Sequence, residues 1–223
     1  MSCEEKKENR LKVETEKAIY NIQFGQIQIE ITGRCNMSCQ HCRAANDDRV
    51  DMPVEQIRKI IKFTRKYSPV YKEIIISGGE PILHNEFFHV LQNIKNEGGE
   101  SITLTTNGSL FGRTHFELIK ELNFTRVILS VSIDSLKADE HDSFRRFKGA
   151  HKKATYALKL IAQESPANII PSARVTLTPD KLVNMEDIAR YFFNLGCKRI
   201  SFSSIHPVGN AFYRPDLWMN QRE

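Results

Sequence analysis

Long apolar runs are missing from this chain of 223 residues. Stretches such as Glu73–Ser77 and Val127–Leu129 are strand-sized, far short of the roughly 18–20 residues that a membrane span requires. The segment from Met1 to Arg10 has no apolar core of the kind an export signal carries, so a cytoplasmic location without a membrane partner is expected. No Pro/Gly/Ser-rich linker, internal repeat or low-complexity tract divides the chain. With 40% hydrophobic and 26% charged residues, disorder and a disulfide-dense scaffold are excluded. Charge of one sign is also scarce. The 32 basic and 27 acidic residues leave +5, interleaved rather than in blocks, so a solvated mixed surface is expected and no nucleic-acid face. A charged N-terminal tail over residues 1–20, followed by one domain over 21–223, is the expected organisation.

Cysteine is sparse too: five, an odd number, which gives no disulfide framework. Three of them cluster as Cys35-x-x-x-Cys39-x-x-Cys42. Cys3 belongs to the charged tail, and Cys197, after Gly196, reads as a small buried hydrophobe.

From residue 26 onward, strand-like and helix-like patterns alternate. Gln26–Thr32 puts Ile27, Ile29 and Ile31 on one face, and further strands are expected at Glu73–Ser77, Ser101–Thr106, Arg126–Ser132, Ser172–Thr178 and Lys198–Ser204. Helices fill the gaps. One starts near Asp51 with Pro53 in its first turn and Val54, Ile57, Ile60 and Ile61 on its inner face. Others cover Phe87–Lys95, a stretch opened by a Thr114–Glu117 capping box, residues 150–163, and Asn184–Leu195. Six strands with crossover-length connections predict an α/β fold with a parallel sheet, either a curved partial barrel or an open doubly wound sheet.

The unusual motifs all fall at carboxyl ends of strands, where parallel α/β folds build their sites. The cysteine cluster follows the first strand, Gly78-Gly79-Glu80-Pro81 the second, Thr106-Asn107-Gly108 the third, and Ser132-Ile133-Asp134 closes the fourth. A structural zinc site wants four ligands, and neither a second knuckle nor a well-placed histidine completes one here. Three thiolates on one loop suit an iron–sulfur cubane with one iron left open.

Cys35-Asn-Met-Ser-Cys39-Gln-His-Cys42, followed by Gly78-Gly-Glu-Pro81, resembles the radical S-adenosylmethionine (SAM) superfamily, and the resemblance runs from about residue 26 to residue 211. It implies a partial (β/α)6 TIM-like barrel carrying a 4Fe–4S cluster on Cys35, Cys39 and Cys42, with SAM on the open iron. By the same resemblance, His41 lies near the adenine, and Gly78, Gly79 and Glu80 meet the methionyl ammonium. Ser132 and Asp134 reach the ribose and methionyl region. His141-Asp-Ser-Phe-Arg145 supplies an arginine for the SAM carboxylate, with Arg146 as the neighbouring alternative and Asn107 shaping the rim. The C-terminal part resembles the SPASM/Twitch branch, although Asn210 stands where that branch often has arginine. Arg174 and His206 are then expected to face the cavity.

The implied activity is reductive cleavage of SAM to a 5′-deoxyadenosyl radical for hydrogen abstraction, with a flavodoxin- or ferredoxin-type electron donor. The implied substrate is a peptide or protein side chain, or otherwise a small molecule. A cofactor-biosynthesis enzyme of the GTP-cyclising or haem type, and a non-catalytic metal-binding module, are the alternatives. Cysteines for auxiliary clusters are absent after Cys197, so either one cluster suffices or the sequence is truncated, and truncation is the expectation.

Overall fold

Alternation along the strands decides the architecture. In β4 (Glu73–Gly78), Ile74 and Ile76 are fully buried against helices, while Glu73, Ile75 and Ser77 line a central cavity. The same split recurs in β5 (Ser101–Thr106), where Ile102 and Leu104 face outward and Thr103 and Thr105 inward. It recurs again in β6 (Arg126–Ser132), with Val127, Leu129 and Val131 against Ser130 and Ser132. The hydrophobic core therefore sits between sheet and helices, and the inner face is polar.

This is a computed structural model that describes residues 10–22, 24–45, 48–67 and 73–219. Its main sheet comprises β3 (Gln26–Thr32), β4, β5, β6, β7 (Ile169–Thr176) and β8 (Arg199–Ser203). All pairings are parallel and in sequence order. Consecutive order has no reversal point, which removes the doubly wound alternative. Residues from all six strands line one cavity of about 710 Å³, so the sheet curves as a partial barrel.

The helices are α1 (Val54–Lys66), α2 (Phe87–Asn96), α3 (Arg113–Glu121), α4 (Ala138–Arg145), α5 (Ala150–Glu164), the short α6 (Pro179–Leu182) and α7 (Met185–Asn194). Buried Ile57 and Ile61 hold α1 on the core, as their spacing predicts. Two local expectations change. Helix α3 begins at Arg113 after Gly112, so Thr114 lies inside it and caps nothing; His115 Nδ1 accepts the Gly112 N–H at 3.4 Å instead. A hairpin, β1 (Leu11–Glu14) and β2 (Ile19–Ile22), starts in the described part of the expected tail and runs past residue 20, closed by Thr15 N–H donating to Ala18 O at 2.9 Å. Leu11 and Val13 are half-buried there while Lys12 and Glu14 are exposed, a four-residue alternation masked by the surrounding charge. Cys3 lies outside the described residues.

Candidate functional site

The cysteine loop leaves β3 and returns to α1 through a pinned neck. Gly33 N–H donates to Val50 O (2.9 Å), Met52 N–H to Ile31 O (2.8 Å), and the Thr32 hydroxyl to Asp51 Oδ1 (2.6 Å). Arg34 forks onto Asp51 through Nε (3.0 Å) and Nη2 (2.6 Å) and also reaches Leu83 O and Asn85. Burial opposes a charge on Asp51, but the Thr32 hydroxyl, the Asn85 N–H and Arg34 outweigh it and hold the carboxyl down at about 2.

The Gly78-Gly79 turn docks on this loop. Gly79 N–H donates to Thr32 O (2.7 Å) and Glu80 N–H to Arg34 O (2.8 Å). Gly78 has φ +140°, and a Cβ there would strike Thr32 O, so glycine is required. The loop is held from α4 by Gln40, whose N–H donates to Phe144 O (2.9 Å) and whose side chain donates to Ser143 O (2.9 Å).

Cys35, Cys39 and Cys42 gather beside Met37, Ala150 and Phe147, and all three line the cavity. Burial pushes the Cys35 thiol up and the Cys39 thiol up to about 11, the thiols reinforce one another, and Arg145 pulls both back down. Among the described residues no three His, Cys, Asp or Glu side chains converge on a single-ion position. A cubane needs no such convergence, because each thiolate binds a different iron. Three clustered thiols beside the Arg145 cation therefore fit a 4Fe–4S cluster better than a mononuclear zinc.

The other predicted residues divide into two groups. Gly78, Gly79, Ser132, His41, Arg145, Asn107, Arg174 and His206 line the cavity together with the cysteines. Glu80 and Asp134 do not. Glu80 is 1% exposed, with Oε1 accepting from the Thr106 hydroxyl (2.7 Å) and Oε2 from the Asn107 N–H (2.7 Å). Burial raises its pKa against these bonds. Asp134 Oδ1 accepts from the Thr176 N–H (2.8 Å) and Oδ2 from Arg145 Nε (2.7 Å). Burial opposes the Asp134 charge, yet Arg145 and the histidines and lysine around it hold the carboxyl well below its usual range. Both carboxylates thus stand behind the cavity wall, bonded to residues that line it.

Arg145 is buried and Arg146, at φ +50°, is exposed past the end of α4, which settles which of the pair faces inward. The His41 ring stacks on Phe144 (centroids 4.5 Å, 13°), and burial lowers its pKa to about 4, so it is neutral near pH 7. Cys197 is buried in the core, as expected, with its thiol pushed up to about 12 by burial.

Two loop supports were not read from the sequence. Asn210 N–H donates to Cys42 O (2.9 Å) and Asn210 Nδ2 to Cys39 O (2.8 Å), tying the segment after β8 to the cysteine turn. Asn36 Oδ1 accepts from Asn107 Nδ2 (2.9 Å), and Asn36 Nδ2 donates to Ser109 Oγ (2.8 Å), closing a polar ring next to Cys35. The amides after Cys35 and in Thr106-Asn107-Gly108 were the available signal.

Residues 29–171 match the profile of the Radical SAM superfamily. A probable GTP 3′,8-cyclase of Methanocaldococcus jannaschii is 36% identical over 125 residues, covering 54% of this chain and 40% of the relative. The antilisterial bacteriocin subtilosin biosynthesis protein AlbA of Bacillus subtilis is 25% identical over 184 residues, 82% of this chain and 40% of that protein. This chain thus spans about two fifths of these relatives. In structure, Streptococcus suis SuiB bound to its precursor peptide SuiA matches with TM-score 0.70 at 15% identity over 85% of this chain and 41% of SuiB, which shows a shared fold. SuiB has also been solved with S-adenosylmethionine bound. No helix among the described residues is long and apolar enough to cross a membrane.

Proposed function

Because this chain belongs to the Radical SAM superfamily, whose enzymes use a 4Fe–4S cluster and SAM, we propose that it cleaves SAM reductively to modify a peptide or protein side chain. The observation that carries this reading is the placement of the three clustered thiols, the Gly78-Gly79 turn and Arg145 around one cavity. When bound, the cluster and SAM supply a 5′-deoxyadenosyl radical that abstracts hydrogen from an unactivated carbon.

The chain's own residues bind, orient and enclose. Cys35, Cys39 and Cys42 would hold the cluster. The Gly78 and Gly79 carbonyls would receive the methionyl ammonium, and Arg145, held through Nε on Asp134, would pair with the carboxylate. Ser132 bonds the ribose side, and neutral His41, backed by Phe144, packs by the adenine. Glu80 and Asp134 act as positioning residues. A flavodoxin- or ferredoxin-type donor and a cytosolic setting complete the proposal. The peptide reading has its support in AlbA and in the SuiB fold, whereas the cyclase relative favours a second reading, a cofactor-building enzyme with a small-molecule substrate.

Anaerobic reconstitution with iron and sulfide, followed by dithionite and SAM, tests the proposal. Formation of 5′-deoxyadenosine and a reduced-cluster EPR signal that shifts on SAM addition are expected. One bound zinc without that signal would sink it. Mass spectrometry of peptide and GTP incubations separates the two substrate readings.

A further inference from the structure

Among the described residues four arginines line the cavity, and two of them are left over. Arg145 pairs with Asp134, and Arg43 with Glu30. Arg174 on β7 and Arg199 on β8 also line the cavity, and neither has a salt-bridge partner among the described residues. Glu73 is the one carboxylate lining the cavity among the described residues, and its Oε1 already accepts from the Thr103 hydroxyl at 2.6 Å. Arg174 is half-buried. Burial lowers its pKa, and Arg145 and Arg199 add to that pressure while Asp134 resists it.

Register places the two guanidinium-bearing residues on adjacent strands of one wall. Arg174 pairs with Ser201 and Arg199 with Ser172. Thr176, Ser201 and Ser203 line the cavity beside them. Ser172, on the same face of β7 as Arg174, is 1% exposed, and its hydroxyl has no protein partner among the described residues. Arg174 is half-buried and Arg199 is exposed at the start of β8, so the two form a cationic wall flanked by hydroxyl donors and open to an anion entering the cavity. An arginine fork matches the planar oxygens of a carboxylate or phosphate. Arg145, by contrast, is fixed on Asp134, and the function proposed above already gives it the cofactor's carboxylate.

We propose that the β7–β8 wall, through Arg174 and Arg199, binds an oxyanion of the substrate, a carboxylate or a phosphate, and so orients an acidic substrate in the barrel. This deepens the radical SAM reading and rests on it for the identity of the cavity as a substrate chamber. It also makes the chamber selective. An apolar side chain entering it would leave the half-buried Arg174 and the Ser172 hydroxyl without partners.

The test is calorimetric titration of the cluster-loaded, SAM-saturated protein with three probes: an N-acetyl, C-amide Gly-Glu-Gly peptide, its Gly-Gln-Gly counterpart, and inorganic pyrophosphate. SAM is titrated separately into the same preparations, so that failure of the cofactor reading is seen apart from failure of this one. At least one charged probe should bind, the Gln peptide should not, and Arg174→Gln and Arg199→Gln should each weaken binding about ten- to a hundredfold. Arg113→Gln, a surface arginine paired with Glu164, should change nothing, and thermal melts check that every variant folds. Preference for the Glu peptide assigns the anion to a peptide carboxylate, and preference for pyrophosphate to a phosphorylated small molecule. The inference is overturned if neither charged probe binds, if the double Gln variant binds as well as wild type, or if Arg174→Gln and Arg199→Gln weaken SAM instead of the probes.

Discussion

Arg145 Nε donates to Asp134 Oδ2 at 2.7 Å, and the two side chains are 8% and 0% exposed. A pair this deep adds little net stability over an apolar replacement, yet removing one member strands the other charge. What it secures is orientation. Asp134 is fixed by the Thr176 N–H on its other oxygen, and its own N–H donates to His141 Nδ1 (3.0 Å), so β6, α4 and β7 converge on one guanidinium. Asp134→Ala should therefore cost about 3–5 kcal/mol in a urea titration, and Asp134→Asn less, because the amide still caps Thr176. Equal stability of Asp134→Ala and wild type would show that the pair is not held as described.

Much of this arrangement was legible in the sequence, for a physical reason. Strand periodicity, the cysteine spacing and the Gly-Gly turn are local patterns, and the structure returns Gln26–Thr32, Ser101–Thr106 and Arg126–Ser132 with their predicted bounds. The contacts of Glu80 and Asp134 were not legible. A carboxylate beside a glycine turn reads the same whether it faces a ligand or the Asn107 N–H; only the neighbouring strand decides, and that contact spans 27 residues. Asn210 was hidden likewise, since its partner Cys39 lies 171 residues away.

Glu80 offers a direct check on that distinction. In Glu80→Gln one oxygen becomes an NH2, which either faces the Asn107 N–H or the Thr106 hydroxyl. Leaving one buried donor unmet should cost about 1–3 kcal/mol, visible as a lower melting temperature in the cluster-free protein. A carboxylate serving only as a SAM ligand would leave that melting temperature where it was.

Cluster assembly should depend on three thiols and no more. Cys35→Ala, Cys39→Ala and Cys42→Ala should each abolish iron–sulfur incorporation, because two protein ligands remain. Cys197→Ala should keep full iron content and lose only modest stability, since that thiol is packed in the core. Iron and sulfide assays decide the matter, and loss of the cluster in Cys197→Ala would overturn the ligand set.

The neck of the cysteine loop should be acid-sensitive through Asp51. Its folded pKa, about 2, lies below the ordinary carboxyl value near 4, so the folded state binds fewer protons than the unfolded chain between those limits. The stabilisation is complete above that window and fades as pH falls through it. Asp51→Asn should be less stable than wild type at pH 7, and the gap should narrow as pH falls from about 4 toward 2. Melting curves of both proteins across that range test the sign, and a gap that widens on acidification would refute it.

The segment after β8 should govern how firmly the cysteine turn is held. Gly209 has φ +60°, and a Cβ there would run into Cys42 O and Arg43 O, so Gly209→Ala must either push the cysteine turn away or give up the Asn210 N–H bond to Cys42 O. The first route shifts the cysteine turn, and the second removes a brace from it. Asn210→Ala is milder, because the backbone N–H bond to Cys42 O survives and only the side-chain bond to Cys39 O is lost, a change of about 1 kcal/mol. Reconstituted protein exposed to air should then bleach fastest in Gly209→Ala, more slowly in Asn210→Ala, and slowest in wild type. A third variant separates this effect from general destabilisation. Gly112→Ala sits in open space at the start of α3, away from the cysteine turn, and should bleach like wild type. Equal bleaching of Gly209→Ala and Gly112→Ala would mean that the segment after β8 does not brace the cluster loop.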